Sequence, residues 1–179
     1  MISDPKIQHS IIGFMVILGI ISAFSISSST SYYTGTVYMV RYLDVSLEEL
    51  RIHGMDFDNK SKPFSITLIF NFKIPNVPNG SVQLTTLGAV VTLNHDELSY
   101  TSFSNILDVE DGILYPNFNR NYSLRGILDE QIDRFAIYNA SVLGAWNFSI
   151  TFRYFYRTFA SRIDEVRFLV FNTNDVTIS

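Results

Sequence analysis

The chain has 179 residues, 47% hydrophobic, 15% aromatic and 17% charged, with a formal net charge of −4 and no cysteine. Without thiols there is no disulfide scaffold, thiolate zinc site, iron–sulfur cluster or cysteine nucleophile. The 13 basic residues are outnumbered by 17 acidic ones, which argues against a nucleic-acid partner, and no Gly-rich loop ends in Lys-Ser or Lys-Thr to hold a nucleotide.

The first element is a membrane segment. Ile11 to Ile26, IIGFMVILGIISAFSI, carries no charge and only Ser22 and Ser25 as polar members. At about 1.5 Å per residue it covers roughly 24 Å, short of a hydrocarbon core of ~30 Å, so a spanning helix must recruit Ser10 or His9 and part of the run Ser27-Ser28-Ser29-Thr30-Ser31. We expect residues 1–9 to form a short cytoplasmic tail, 10–31 a transmembrane helix and polar linker, and 32–179 an extracytoplasmic domain, extracellular or periplasm-like. Lys6 sets that orientation, and Tyr32 and Tyr33 fall where an aromatic belt would. The positive start and the Ser25-Ile26-Ser27 step also suit a cleaved signal peptide, but the flanks favour a retained signal-anchor. Gly19 and Ala23 share a helix face on which another helix could pack closely. The partners this implies are the lipid bilayer and other membrane protein subunits.

Beyond the linker the periodicity changes to two, the pattern of half-buried strands. Phe64, Ile66, Leu68, Phe70 and Phe72 point one way, and the run ends at the breaker-rich Pro75-Asn76-Val77-Pro78-Asn79-Gly80. Val82 and Leu84 follow, then Ala89, Val91 and Leu93, with Gly88 read as a bulge between them. Phe118, Tyr122 and Leu124 repeat the alternation. Trp146, Phe148, Ile150, Phe152, Tyr154 and Tyr156 form the clearest strand, and the last lies near Val166 to Phe171. One stretch has helical spacing: from Asp129, read as N-cap, Ile132, Phe135 and Ala136 recur until Gly144. About seven strands and one short helix predict an antiparallel, immunoglobulin-like β-sandwich, mainly β, behind a single N-terminal transmembrane helix.

The order of features is also familiar. A short inside tail and one membrane helix precede SLEELRIHGMDFDNKSKPFSITLIFNFKIPN and then VVTLNHDELSY. This resembles the late embryogenesis abundant type 2 proteins, also called the water-stress and hypersensitive-response domain, over residues 43 to 172. The family's long amphipathic strand corresponds to Pro63 to Lys73, its Asn-Pro step to Ile74-Pro75-Asn76, and its Asn-Gly-like turn to Leu93-Asn94-His95. Ile74 stands where the family has Asn, and His95-Asp96 stands in place of Gly. The resemblance implies an immunoglobulin-like sandwich, often membrane-tethered, with protective or interaction functions and no catalytic constellation.

Five Asn-x-Ser triplets, at Asn59, Asn79, Asn121, Asn139 and Asn147, all follow the membrane segment, about twice the number chance would give. Asn121 and Asn147 fall on outward strand phases, as a glycan would require. The acidic runs Asp56-Phe57-Asp58-Asn59 and Asp108-Val109-Glu110-Asp111-Gly112 lack calcium-loop spacing. His53 and His95 are too few for a three-His metal centre, and His95 beside Asp96 has no Gly-x-Ser-x-Gly elbow to serve, so it reads as a turn residue. No catalytic residue, metal ligand or cofactor is expected. On the outward side of the aromatic strand, Phe155 and Phe159 lie beside Arg153 and Arg157, a mixture that interfaces favour. The sequence therefore suggests a non-catalytic accessory or structural subunit of a membrane or envelope complex. The alternatives are a pilin-like filament subunit and a tethered ligand-binding or stress-protective module.

Overall fold

The computed structural model describes residues 5–77, 79–98, 103–158, 161 and 163–179. It opens with a single helix, α1 (Pro5–Tyr42), of 38 residues, roughly 57 Å long at about 1.5 Å per residue. The run Ser27–Ser31, expected to be a linker, is helical. Hydroxyl residues are weak helix formers, but extending a helix already nucleated costs far less than starting one. Residues 6–31 are exposed throughout, and the helix is long and apolar enough to cross a membrane. Gly19 lies in that exposed stretch with nothing within 4 Å of where a Cβ would sit.

The last turns of α1 are different. Gly35, Thr36 and Met39 are buried, Met39 completely. Gly35 packs on the loop after the second strand so tightly that a Cβ there would lie 1.7 Å from the Asn79 carbonyl oxygen. Gly80 meets the helix from the other side: its φ of +129° is a conformation that L side chains rarely adopt, and a Cβ would come 2.6 Å from the Thr36 nitrogen. The Ser81 N–H donates to Thr36 Oγ1 at 3.3 Å, and the Tyr32 and Ser81 hydroxyls hydrogen-bond. The expected boundary at residue 32 therefore falls inside a continuous helix, and the sandwich proper starts at Asp44.

The strands are β1 (Asp44–His53), β2 (Phe64–Lys73), β3 (Val82–Leu93), β4 (Asp96–Glu97), β5 (Phe103–Ile106), β6 (Ile113–Leu114), β7 (Asn119–Leu128), β8 (Phe148–Arg157), β9 (Glu165–Thr173) and β10 (Thr177–Ile178). One sheet has the order β10-β1-β2-β7. The other runs β4-β3-β8-β9, with β5 and β6 also paired to β3. All pairings are antiparallel except β1 with β10. The two sheets form the expected sandwich.

Alternation places the core as read from the sequence: Phe64, Ile66, Leu68, Phe70 and Phe72 from one sheet and Phe148, Ile150, Phe152, Tyr154 and Tyr156 from the other are all buried. Phe70 stacks on Phe152 across the sandwich at 4.0 Å between centroids, and Phe72 meets Phe152 and Tyr154 edge-on. Each such ring removed from water contributes about 1.5–3 kcal/mol. Two details of the β reading change. The irregularity in β3 falls between Leu84 and Thr86, and Gly88 instead pairs regularly with Arg153 and Ser104. Trp146 precedes β8, which begins at Phe148.

The predicted helix is α3 (Gln131–Leu143); α2 (Val109–Gly112) is a single turn. The residue capping the start of α3 is Glu130, with no side-chain cap bond, and Gly144 ends it at φ 62°. The expected buried stripe is corrected. Ile132 and Phe135 are exposed, while Arg134, Ile137, Tyr138 and Ala140 face inward. Tyr138 decides the rotation: its ring packs edge-on against Phe64, and its hydroxyl donates to the Asp56 carbonyl and accepts from the Asp56 N–H. A buried aromatic with both hydroxyl functions satisfied outweighs the partly covered contacts of one aliphatic and one aromatic side chain.

Candidate functional site: the outer face of the larger sheet

Because directly opposed residues of paired strands share a face, the registers give the outer surface of each sheet. On β10-β1-β2-β7 that surface is polar. It carries Ser46, Glu49 and Arg51 from β1, Thr67 and Asn71 from β2, and Asn119, Asn121, Ser123 and Arg125 from β7. Asn71 Nδ2 donates to Asn119 and Asn121 at 2.8 and 2.7 Å, and Arg51 pairs with Glu49. Ile69 and Ile127 are the apolar exceptions.

The outer surface of the larger sheet is richer in apolar residues, up to a polar last row of Glu97, Thr92, Ser149 and Asn172. One row across it is Ile106, Thr86, Phe155 and Val166; the next is Ser104, Gly88, Arg153 and Phe168; a third is Val90, Thr151 and Val170. Ile106 is 82% exposed, Phe168 62% and Val170 63%. Arg153 is the one charge in these rows, and the missing side chain of Gly88 lets it lie flat: a Cβ there would be 3.0 Å from Arg153 Nε and 3.4 Å from its Cγ. β9, moreover, ends the strand order β4-β3-β8-β9, so one of its edges carries backbone groups with no strand beside them among the described residues, which suits pairing with another chain.

The predicted interface residues thus divide. Arg153 and Phe155 sit within this face. Arg157 lies at its edge and is held to Asp164, Nε to Oδ1 at 2.8 Å, while Thr85 Oγ1 donates to the other oxygen of Asp164 at 2.7 Å. The Thr85 hydroxyl and then the Arg157 charge keep the Asp164 carboxyl below the usual carboxylate range. Phe159 lies outside the described residues. Sequence reading missed Val166, Phe168, Val170 and Ile106. The signal was there in β9, whose run Val166-Arg167-Phe168-Leu169-Val170-Phe171 is apolar in both phases apart from Arg167, where a wet outer face would alternate.

No family model and no curated protein matches the chain. Among solved structures it is similar to the crystal structure of a protein from Archaeoglobus fulgidus, at 11% identity and a TM-score of 0.44, over 72% of this chain and 94% of that one. It is likewise similar to the X-ray structure of Northeast Structural Genomics Consortium target SoR45, at 10% identity and a TM-score of 0.46, over 73% and 84%.

A second feature adjoins α1. Between the end of α1 and the first residues of β9 is a cavity of about 430 Å³ whose walls include Tyr33, Val37, Arg41, Tyr156, Glu165 and Arg167. Three of its polar groups, Tyr156, Glu165 and Arg167, are engaged with one another. The Tyr156 hydroxyl donates to Glu165 at 2.7 Å, and burial followed by that bond pushes its pKa up; Arg167 is held charged chiefly by its bond to Tyr156. This is a joint between helix and sandwich.

The other residues singled out by sequence are dispersed. Asn59, Asn79, Asn121, Asn139 and Asn147 are all exposed, on loops, on β7 and on α3. Asp56 Oδ1 accepts from the N–H groups of Asp58 and Asn59, so that acidic run closes a turn, and Asp111 pairs with Arg120 at 2.9 Å. His95 is indeed a turn residue: Asn94 and His95, at φ 53° and 78°, form the two-residue link between β3 and β4, the type I′ geometry that favours Asn. Among the described residues no three His, Cys, Asp or Glu side chains converge on a metal position.

Proposed function

We propose that the protein is a non-catalytic, single-pass membrane protein whose β-sandwich stands on the extracytoplasmic side and docks, through the outer face of β3, β8 and β9, onto other subunits of a membrane or envelope assembly. The observation that carries this reading is the contrast between the two sheet surfaces. One is polar and self-satisfied; the other exposes Val166, Phe168 and Val170 in a line along the end strand β9, with Phe155 and Ile106 beside them, the kind of surface that soluble monomers keep small. The anchor supports it, because α1 is locked to the sandwich at Gly35, Thr36 and Met39 and so fixes how that face is presented above a bilayer.

The test is capture of the full chain from native membranes through a C-terminal tag after mild extraction, in parallel with Phe168→Glu. The reading expects stoichiometric membrane proteins with the wild type and their loss with the variant, both proteins being equally stable. Identical co-eluting sets would overturn it.

One observation favours a filament subunit as the second reading. The Ser27–Ser31 run, expected to be a linker, is itself helical, so α1 offers an exposed apolar helix continuous with a β-domain. Sheared surface fractions separate the two: a filament subunit is recovered there as long polymers, and a subunit of a membrane complex is not.

A further inference from the structure

At the end of the sandwich away from α1, the turn between β3 and β4, the end of α3, the residues before β8 and the residue after β9 enclose a shallow cleft of about 430 Å³, lined by Asn94, Gly144, Ala145, Trp146, Asn147 and Asn174. That volume falls in the range of small-molecule sites. Its composition is unusual for this chain: it holds the one tryptophan of the sequence, three primary amides and no ionisable side chain. We propose that this cleft binds a neutral saccharide, with a pyranose ring on the Trp146 indole and its hydroxyl groups held by Asn94, Asn147 and Asn174.

Three arguments carry the assignment. The first is chemical. A primary amide both donates and accepts, as a sugar hydroxyl does, so three amides can satisfy a polyol whichever way its hydroxyls turn. The weakly positive C–H groups on a pyranose face match the negative face of an indole. A phosphate, a carboxylate or a metal ion would find no opposite charge here, and desolvating it without one is costly.

The second is that part of the wall, Trp146 and the Asn94 turn, is fixed in advance. Trp146 stacks on Phe148 with centroids 5.9 Å apart and planes 12° from parallel, so the indole is anchored through one ring neighbour. The backbone leading to it is pinned: the Ala145 N–H donates to the Ala140 carbonyl at 3.0 Å, and Asn94 Nδ2 donates to the Ala145 carbonyl at 3.0 Å. The Asn94 N–H donates to the Asn147 carbonyl at 2.9 Å. Only one of the two amide hydrogens of Asn94 is used in that bond, which leaves the other and Oδ1 for a ligand. Pre-ordered walls lower the entropic cost of binding.

The third is position. β8 and β9 run between the α1 joint and this cleft, about 30 Å along a ten-residue strand, and the apolar field lies on the sheet face, so anchor, docking face and cleft occupy separate parts of the molecule. Saccharide binding here is therefore independent of the docking reading.

Trp146 is its own reporter. The full chain, solubilised in a detergent without a sugar headgroup, is titrated with chitotetraose, cellotetraose, mannotetraose and maltotetraose while tryptophan emission is followed. The expected result is a saturable change with at least one of the four, with Kd between about 10 µM and 1 mM. Affinity should be unchanged from about pH 5 to 9, since no lining group titrates there. Asn174→Ala and Asn147→Ala, which leave the fluorophore and the Asn94 turn in place, should each weaken binding by about tenfold. No saturable change with any of the four at ~10 mM, by protein whose cooperative unfolding shows it to be folded, would overturn the proposal. So would titrations that the two variants do not alter, or peptide-level mass spectrometry placing a glycan on Asn147, which would fill the cleft from the chain itself.

Discussion

The joint between α1 and the sandwich gives a sharp structural prediction, tested by Gly35→Leu. A Cβ at Gly35 would lie 1.7 Å from the Asn79 carbonyl oxygen, where ordinary contact begins near 3.4 Å, so helix and loop must separate by about 1.7 Å. A gap of 0.5–1 Å already forfeits a quarter to a half of a dispersion contact. The joint would then lose most of the packing of Met39, worth about 2 kcal/mol for a fully buried Met, and the bond from Ser81 N–H to Thr36 Oγ1, worth about 1 kcal/mol. A loss of about 3 kcal/mol in a chain of this size lowers Tm by roughly 6–12 °C. Thermal unfolding of the detergent-solubilised full chain, followed by Trp146 fluorescence, measures it. Gly19→Leu is the control, because nothing lies within 4 Å of that position. A Gly35→Leu transition within about 1 °C of wild type would refute the claim that the packing of α1 on the sandwich stabilises the fold.

Three further outcomes follow from particular contacts. Phe168→Glu should leave Tm within about 2 °C, since the ring is 62% exposed and exposed substitutions usually cost under about 0.5 kcal/mol; a larger drop would mean that the outer face is part of the core. Tyr138→Phe should destabilise by about 1–2 kcal/mol, because the Asp56 N–H and carbonyl both lose a partner, and limited proteolysis should then cut first between Gly54 and Pro63. Asp164 is held below the usual carboxylate range by Thr85 and Arg157. Its contribution is therefore present above the ordinary aspartate pKa of about 3.9 and is lost as pH falls through the folded value; the Tm of Asp164→Asn should fall less steeply than that of wild type below about pH 4.

Much of the fold was legible because the core obeys period two. Phe64 to Phe72 and Phe148 to Tyr156 place their buried faces by alternation alone, and the wet face of the smaller sheet follows from the same pattern. What escaped depends on tertiary balance. The Ser27–Ser31 run has no helical preference of its own and is carried along by apolar residues before it and by Met39 after it. Ile132 and Phe135 have helical spacing, yet the buried side of α3 is chosen by the hydroxyl of Tyr138, whose partner Asp56 is 82 residues away. The apolar face was half visible: Arg153 and Phe155 were found on one strand, but Phe168, Val170 and Ile106 join them only through strand pairing. The distal cleft could not be seen at all, because Asn94, Trp146 and Asn174 meet only when three separate connections converge.

The central claim, a spanning α1 with the sandwich held outside, is open to a clean topology measurement because the chain has no cysteine. Lys6→Cys and Asp58→Cys, both at exposed positions, are treated separately in intact cells with a membrane-impermeant maleimide and again after permeabilisation. The account predicts that the cysteine at position 58 labels in intact cells and that the one at position 6 labels only after permeabilisation. Labelling of both in intact cells, of neither, or with the order reversed would contradict it.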